Sequence, residues 1–390
     1  MHQMQPVVKK HRFEGLDIFR GLFSGMVVLF HMSVFSDTVV INNNFVINSD
    51  LFVDFFFVLS GFVIAYSYRS IESVAALALF LKKRLFRIYP LHLVMLLVFL
   101  FTESVKHYLQ PYIHINQLNN ANNNLTSFLS SLFLLNSIKI KGITDVSWNI
   151  PSWSISAEMI AYIVYALATL LILSIGLYKK RIWFFIVIIL SSLTLLYALT
   201  QNFALNYSFD YGFLRGITGF FMGIICCNTF EYSYNYFQSF KTSFFHTCEV
   251  VSIALIVFFV SCGDVFKSFG FIYEILFFIS ILIFAFERGF VSALLLKSNF
   301  LKKMGKYSYS IYMTHALLLS LFNILFIRIL KFDPSAYSYL FIFNYILIYK
   351  VSAWTYEHIE KRFTVNKKSI KNSSIEPVYH TNNFFEKAGN

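Results

Sequence analysis

Apolar stretches of about 18–20 residues follow one another from near the N-terminus to about residue 357. As helix, at 1.5 Å per residue, each is long enough to cross a hydrocarbon core of ~30 Å. The windows lie at about 16–35, 50–68, 88–106, 152–176, 182–200, 210–227, 247–262, 270–287, 307–328 and 337–357. The expected fold class is therefore all-α: a polytopic membrane helix bundle of about ten transmembrane helices. The apolar run at 127–136 is too short to span and is read as a re-entrant or interfacial segment. Only 13% of residues are charged, against about 25% in soluble domains.

Residues 1–15 read as a cytosolic N-terminal segment, 16–360 as one transmembrane domain, and 361–390 as a polar, disordered cytosolic tail. The N-terminus, MHQMQPVVKKHRFEG, is polar and basic, and the first apolar run is long and carries Asp17 and Arg20. That pattern reads as an uncleaved first helix rather than a signal peptide. With both termini in the cytosol, 23 of the 32 Lys and Arg fall on the inner side, six outside and three within helices. The net charge of +12 is then the positive-inside bias, not a nucleic-acid footprint. The expected surroundings are membrane lipid, with no nucleic-acid partner. No internal repeat supports an inverted-repeat transporter. Cys226, Cys227, Cys248 and Cys262 form no CxxC pair. No metal site, disulfide framework or bound cofactor is expected.

Ionisable residues in lipid-spanning helices are functional suspects because they are costly there. Ten occur: Asp17, Arg20, His31, Asp54, His92, Glu158, Arg215, Glu274, His315 and Lys350. Lys350, Glu274 and His92 are read as groups that pair within the bundle or lie near a helix end. The others are read as functional. Eleven residues turn a helix through ~20° more than three full turns, so Arg20 and His31 share a face, with Ser24 between them. Asp17 stands one turn before Arg20, within pairing distance. Ser154, Glu158 and Tyr162 follow at i, i+4, i+8, behind Pro151 at the helix start. Ser308, Tyr312 and His315 follow at i, i+4, i+7. Such stripes suit a cavity running inward from the cytosol. Arg84 and Arg87, one turn apart in KKRLFRIYP, have two readings: a topology or headgroup anchor, or a fork for a phosphorylated cytosolic ligand.

These stretches together resemble the acyltransferase-3 family of bacterial integral-membrane acyltransferases. LDIFRGLFSGMVVLFH is similar to its first helix, with ten residues between Arg20 and His31. VDFFFVLSGFVIAY, with Asp54, is similar to its second. KKRLFRIYPLH carries its Arg-x-x-Arg before Tyr-Pro, and WSISAE, with Trp153 and Glu158, resembles its Trp-Ser…Glu element. FLRGITGFFMGI, with Arg215, GKYSYSIYMTHALL, with Tyr312 and His315, and YEHIEKRF complete the series. Arg362 stands where the family usually has Pro, and Ile18-Phe19 where Gly-Leu is commoner. The fused esterase-like domain of many members is not expected here. The resemblance implies a multi-pass protein of the bacterial inner membrane. It implies transfer of an acyl group, commonly acetyl, from cytosolic acyl-CoA as donor substrate to a hydroxyl of a surface glycan or its lipid-linked precursor.

Acyl transfer from a thioester needs a base for the hydroxyl and positive charge near the developing oxyanion. His31 is the expected base. Glu158 or Asp17 is expected to orient it or relay the proton, and Arg20 to hold the donor or stabilise charge. Arg84 and Arg87 are expected to bind the acyl-CoA. Asp17, Ser24, Asp54, Trp153, Arg215, Tyr312 and His315 are expected to line the cavity. The competing expectations are a glycan exporter whose buried charges line a permeation path, and a structural membrane subunit.

Overall fold

The computed structural model describes residues 12–111 and 122–363. The expected cytosolic segment and tail therefore lie mostly outside the described residues. The chain forms α1 (Glu14–Ser33), α2 (Phe52–Ser67), α3 (Val74–Leu109), a short α4 (Leu125–Leu132), α5 (Ser152–Ser174), α6 (Arg181–Thr200), α7 (Gly212–Gln238), α8 (Thr242–Ser261), α9 (Phe271–Phe284), a short α10 (Phe290–Lys297), α11 (Asn299–Asn323) and α12 (Tyr337–Thr355). No strand occurs among the described residues. Ser73, Asn124 and Ser298 cap three helix starts by accepting the N–H of Ala76, Ser127 and Leu301. Pro151 precedes α5, where its missing N–H leaves no helical bond unmade.

Among the described residues, eight helices are long and apolar enough to cross a membrane, or nine if one sharply bent pair is a single span. About ten were expected, and two places account for the difference. At 270–287, α9 covers only 14 residues, about 21 Å of helix. It meets Gly263–Phe269 at a bend of 101°. At the corner, a Cβ on Gly270 would overlap the backbone of Leu205. At 337–357, α12 has 19 residues and ends in a π-helical turn, Tyr356–Glu360. Asn344, Lys350 and its tyrosines dilute its apolar character, so it is not among the eight. The third helix also departs from expectation. It starts at Val74 rather than near 88, so the basic stretch 82–87 is itself helical, and Pro90 lies inside the helix. α4, at about 12 Å, is too short to span, as read from its sequence.

The ionic contacts sort to two ends of the bundle, as alternating crossings require. Glu14–Lys302, Arg69–Glu231 and Lys306–Glu357 lie at one end, and Asp50–Lys267 at the other. Two helix pairs form the frame. α2 and α7 run parallel, with Asp54 facing Arg215 and Phe62 facing Phe230. They touch backbone to backbone, because a Cβ on Gly61 would overlap the Phe220 carbonyl and one on Gly223 the Val58 carbonyl. α1 and α11 also run parallel and touch at Gly21 and Gly305. Without a hydrophobic drive between helices in lipid, small residues at such contacts let dispersion and polar contacts hold the bundle. The two glycine seams place the polar stripes of α1 and α11 opposite α2 and α5.

Candidate active site

α1, α2, α3, α5 and α11 surround one cavity with about 850 Å³ of empty space, part of it open to solvent. The polar residues on its wall are Arg20 and Ser24 from α1, Ser60 from α2, Arg84 and Arg87 from α3, Ser154, Glu158 and Tyr162 from α5, and Ser308, Tyr309 and Tyr312 from α11. The helical stripes read from the sequence therefore meet on one space: i, i+4 on α1, i, i+3 on α3, i, i+4, i+8 on α5 and i, i+4 on α11. Phe56, Phe57, Ile88 and Ile155 supply apolar wall between them.

The polar groups are tied in place. Glu158 Oε1 accepts from Ser60 Oγ and from the Tyr162 hydroxyl, each at 2.5 Å. Arg20 donates Nε–H to Ser308 Oγ at 2.8 Å and Nη2–H to the Gly305 carbonyl at 3.3 Å. Asp17 Oδ1 lies 3.2 Å from Arg20 Nη2, the pairing expected one turn away. Asp17 also holds Arg12 at 2.8 Å and raises that guanidinium's pKa. Arg84 donates to the Tyr68 hydroxyl at 3.1 Å and lies over the Tyr68 ring, while its buried Nε has no partner. Arg87 makes no hydrogen bond among the described residues. Three guanidiniums reach the cavity, with Asp17 paired to Arg20 and Glu158 and Glu360 interacting with Arg87, and Arg84 Nε and Arg87 keep donors unused. Such a surface suits phosphate or carboxylate groups of a ligand.

Beyond the Ser154–Tyr312 contact at 2.9 Å, the α1 and α11 stripes continue into a pair of histidines. His31 Nδ1 lies 3.3 Å from His315 Nε2 and 2.9 Å from the Val27 carbonyl. His315 Nδ1 lies 3.2 Å from the Ile311 carbonyl, and its ring packs 5.8 Å from that of Tyr312. The pair stands next to the cavity rather than on its wall.

A family model, described as an acyltransferase domain, matches residues 13–354. The chain belongs to the acyltransferase-3 family. No curated protein and no solved structure matches it. The family makes it a membrane acyltransferase, and the matched segment includes every residue of the cavity and the histidine pair.

In this acyltransferase, Arg20, Ser24, Arg84, Arg87, Glu158 and Tyr312 share the cavity. Other residues lie elsewhere, each for a physical reason. Asp54 and Arg215 do not line it. They form a buried two-point ion pair, 2.6 and 2.9 Å, that joins α2 to α7. Trp153 lies under Arg215, 5.4 Å from its guanidinium carbon, and borders a separate small pocket with Asn136 and Phe209. Asp17 sits behind Arg20, and His315 behind Tyr312. Neither Glu158 nor Asp17 hydrogen-bonds His31; the Val27 carbonyl and His315 occupy its Nδ1 instead. Among the residues read as structural, His92 donates Nε2–H to the Ser131 carbonyl at 2.9 Å, tying α3 to α4. Lys350 is exposed. Glu274 neither pairs nor reaches solvent: it is fully buried, and both its carboxyl oxygens lack a partner among the described residues. Sequence reasoning passed over Ser60, which holds Glu158. Its one signal was a lone hydroxyl in the phenylalanine-rich FFFVLSGF.

Proposed function

We propose that this acyltransferase takes its acyl group, acetyl by preference, from cytosolic acyl-CoA. It passes the group to a hydroxyl of a cell-surface glycan or its lipid-linked precursor. The observation that carries the donor half is the convergence of Arg20, Arg84 and Arg87 on one cavity. Phosphates are the groups for which arginine forks are best suited, and a CoA thioester brings phosphates and an acyl group together. The glycan half rests on the family. In this reading the protein sits in the bacterial cytoplasmic membrane with both termini cytosolic, so the arginine-bearing end of the cavity faces the donor.

His31 acts as general base on the acceptor hydroxyl. The oxygen attacks the thioester carbonyl, and positive charge on the arginine side offsets the developing oxyanion. Arg20, anchored by Asp17 and Ser308, shares the cavity with the donor arginines. Glu158, held by Ser60 and Tyr162, supplies the one carboxylate on the wall and orients the donor's polar groups.

The test uses purified protein in lipid nanodiscs with acyl-CoA labelled in the acyl group. Label appearing on an isolated glycan acceptor, together with free CoA, supports the reading. Saturable binding of acyl-CoA that Arg84→Gln/Arg87→Gln weakens supports the assigned donor site. Glycan export lost in cells while acylation stays intact would favour an exporter and overturn it.

A further inference from the structure

α1 and α11 touch at Gly21 and Gly305 and run in the same direction. His31 and His315 each follow their glycine by ten residues, so the two rings arrive at one height, with centroids 4.9 Å apart. The hydrogen bonds then assign the protons. Val27 and Ile311 present carbonyl oxygens, which only accept. Nδ1 of each histidine must therefore carry hydrogen, bonded to the carbonyl four residues back. His315 Nε2 is consequently a lone pair, and it faces the His31 Nδ1–H at 3.3 Å. His31 Nε2 is left with a lone pair and no hydrogen-bond partner among the described residues.

We infer that His315 is a positioning residue: together with the Val27 carbonyl it accepts the Nδ1–H of His31, fixing the ring so that Nε2 of His31 is the atom that takes the acceptor's proton. This rests on the reading of His31 as base proposed above. In the transfer, the acceptor O–H bond breaks, with its proton going to His31 Nε2, while the oxygen bonds the thioester carbonyl carbon. The C–S bond then breaks, and the departing sulfur takes the proton from Nε2, so the base is regenerated and no charge is left behind. Between those steps His31 is a cation, and its Nδ1–H becomes a stronger donor to Val27 O and His315 Nε2.

A carboxylate plays the equivalent part in Ser-His-Asp triads. Here the neighbourhood is apolar: Val28, Met32, Ile311 and Leu319 form one packed cluster on the same two helices. His315 is fully buried. A carboxylate at its place would be a costly anion whenever the base is neutral. A second imidazole supplies the acceptor without the charge. No Asp or Glu hydrogen-bonds either ring among the described residues.

The experiment compares the parent with His315→Leu and His315→Gln in nanodiscs. Leu removes the acceptor, whereas the Gln side-chain oxygen reaches about where Nε2 stood. For His315→Leu, kcat should fall about 10- to 100-fold, part of the 10²–10⁴ that a well-placed base supplies, with the KM for acyl-CoA unchanged. His315→Gln should restore most of it. Nitrogen-15 spectra of histidine-labelled protein, with His31 identified by difference from His31→Gln, should show a protonated Nδ1 and a bare Nε2 in the parent. In His315→Leu the Val27 carbonyl still holds the hydrogen on Nδ1, so the tautomer should persist while the Nδ1 signal shifts because its second acceptor is gone. Equal loss in the Leu and Gln variants would reduce His315 to packing. A shifted KM at constant kcat would move it to donor binding. A protonated His31 Nε2 in the parent would overturn the assignment. The spectra need no substrate, so a parent that turns over no acyl-CoA would refute the proposed function while the tautomer still judges the positioning role.

Discussion

Asp54→Asn tests whether the deepest ion pair of the bundle is structural. Arg215 and Asp54 are 3% and 2% exposed, so neither charge has water to fall back on. In the parent, Arg215 donates Nε–H and Nη2–H to the two carboxylate oxygens at 2.6 and 2.9 Å. Its remaining contacts are weaker, with the Tyr207 carbonyl at 3.4 Å and the Trp153 ring at 5.4 Å. Removing one member of a buried pair costs about 3–5 kcal/mol, because the survivor stays buried without a countercharge. Asp54→Asn keeps an oxygen for one of the two N–H groups and leaves Glu274 as a further carboxyl that Arg215 interacts with, so its cost belongs at about 3 kcal/mol. Arg215→Met strands Asp54 and Glu274 together without a cation and belongs at about 5 kcal/mol. The double change Asp54→Leu/Arg215→Met removes both charges and should recover much of the loss. Denaturant unfolding in mixed micelles reads the order. Transfer per folded molecule should stay close to the parent's, since neither residue lines the cavity. An Asp54→Asn protein as stable as the parent, or one fully folded yet inactive, would refute the reasoning.

Further outcomes follow from the cavity. His31→Gln should insert and fold normally yet lose about 10²–10⁴ in acyl transfer, because an amide cannot take up the acceptor's proton; near-normal transfer would move the base elsewhere. Arg20→Lys keeps the charge but not the fork that reaches both Ser308 and Gly305, so most activity should go while membrane-inserted protein stays constant. Arg84→Gln/Arg87→Gln should weaken acyl-CoA binding by at least about tenfold, as loss of one charge-assisted hydrogen bond of about 1.5–3 kcal/mol would; unchanged binding in a titration would return both residues to a topological role. Reporters fused at Asn122 and Ser373 should report opposite sides of the membrane, and a shared compartment would overturn cytosolic termini.

Much of the cavity was legible in the sequence because helical periodicity is local. Once the apolar windows are helices, Arg20 with Ser24, Ser154 with Glu158 and Tyr162, and Ser308 with Tyr312 must share faces whatever the helices pack against. The order of motifs was sufficient for the family. What lay beyond reach were relations between helices. Asp54 and Arg215 looked like site residues because a lone charge in an apolar window is costly; that they cancel each other depends on α2 and α7 lying parallel and touching at Gly61 and Gly223. Ser60 carried no periodic signal, and its part as the donor to Glu158 exists only where α2 meets α5. The bend before α9 was hidden inside an unbroken apolar run, since hydropathy records a residue's transfer cost and not the direction of the backbone. Arg20 and His31 were visible on one face, but the proton on His31 was not. It depends on a carbonyl four residues back in its own helix and on a lone pair from a helix 284 residues away in the chain. Local spacing sets which side chains a helix can present together, whereas hydrogen-bond partners and countercharges are properties of contacts between helices, and packing alone selects those.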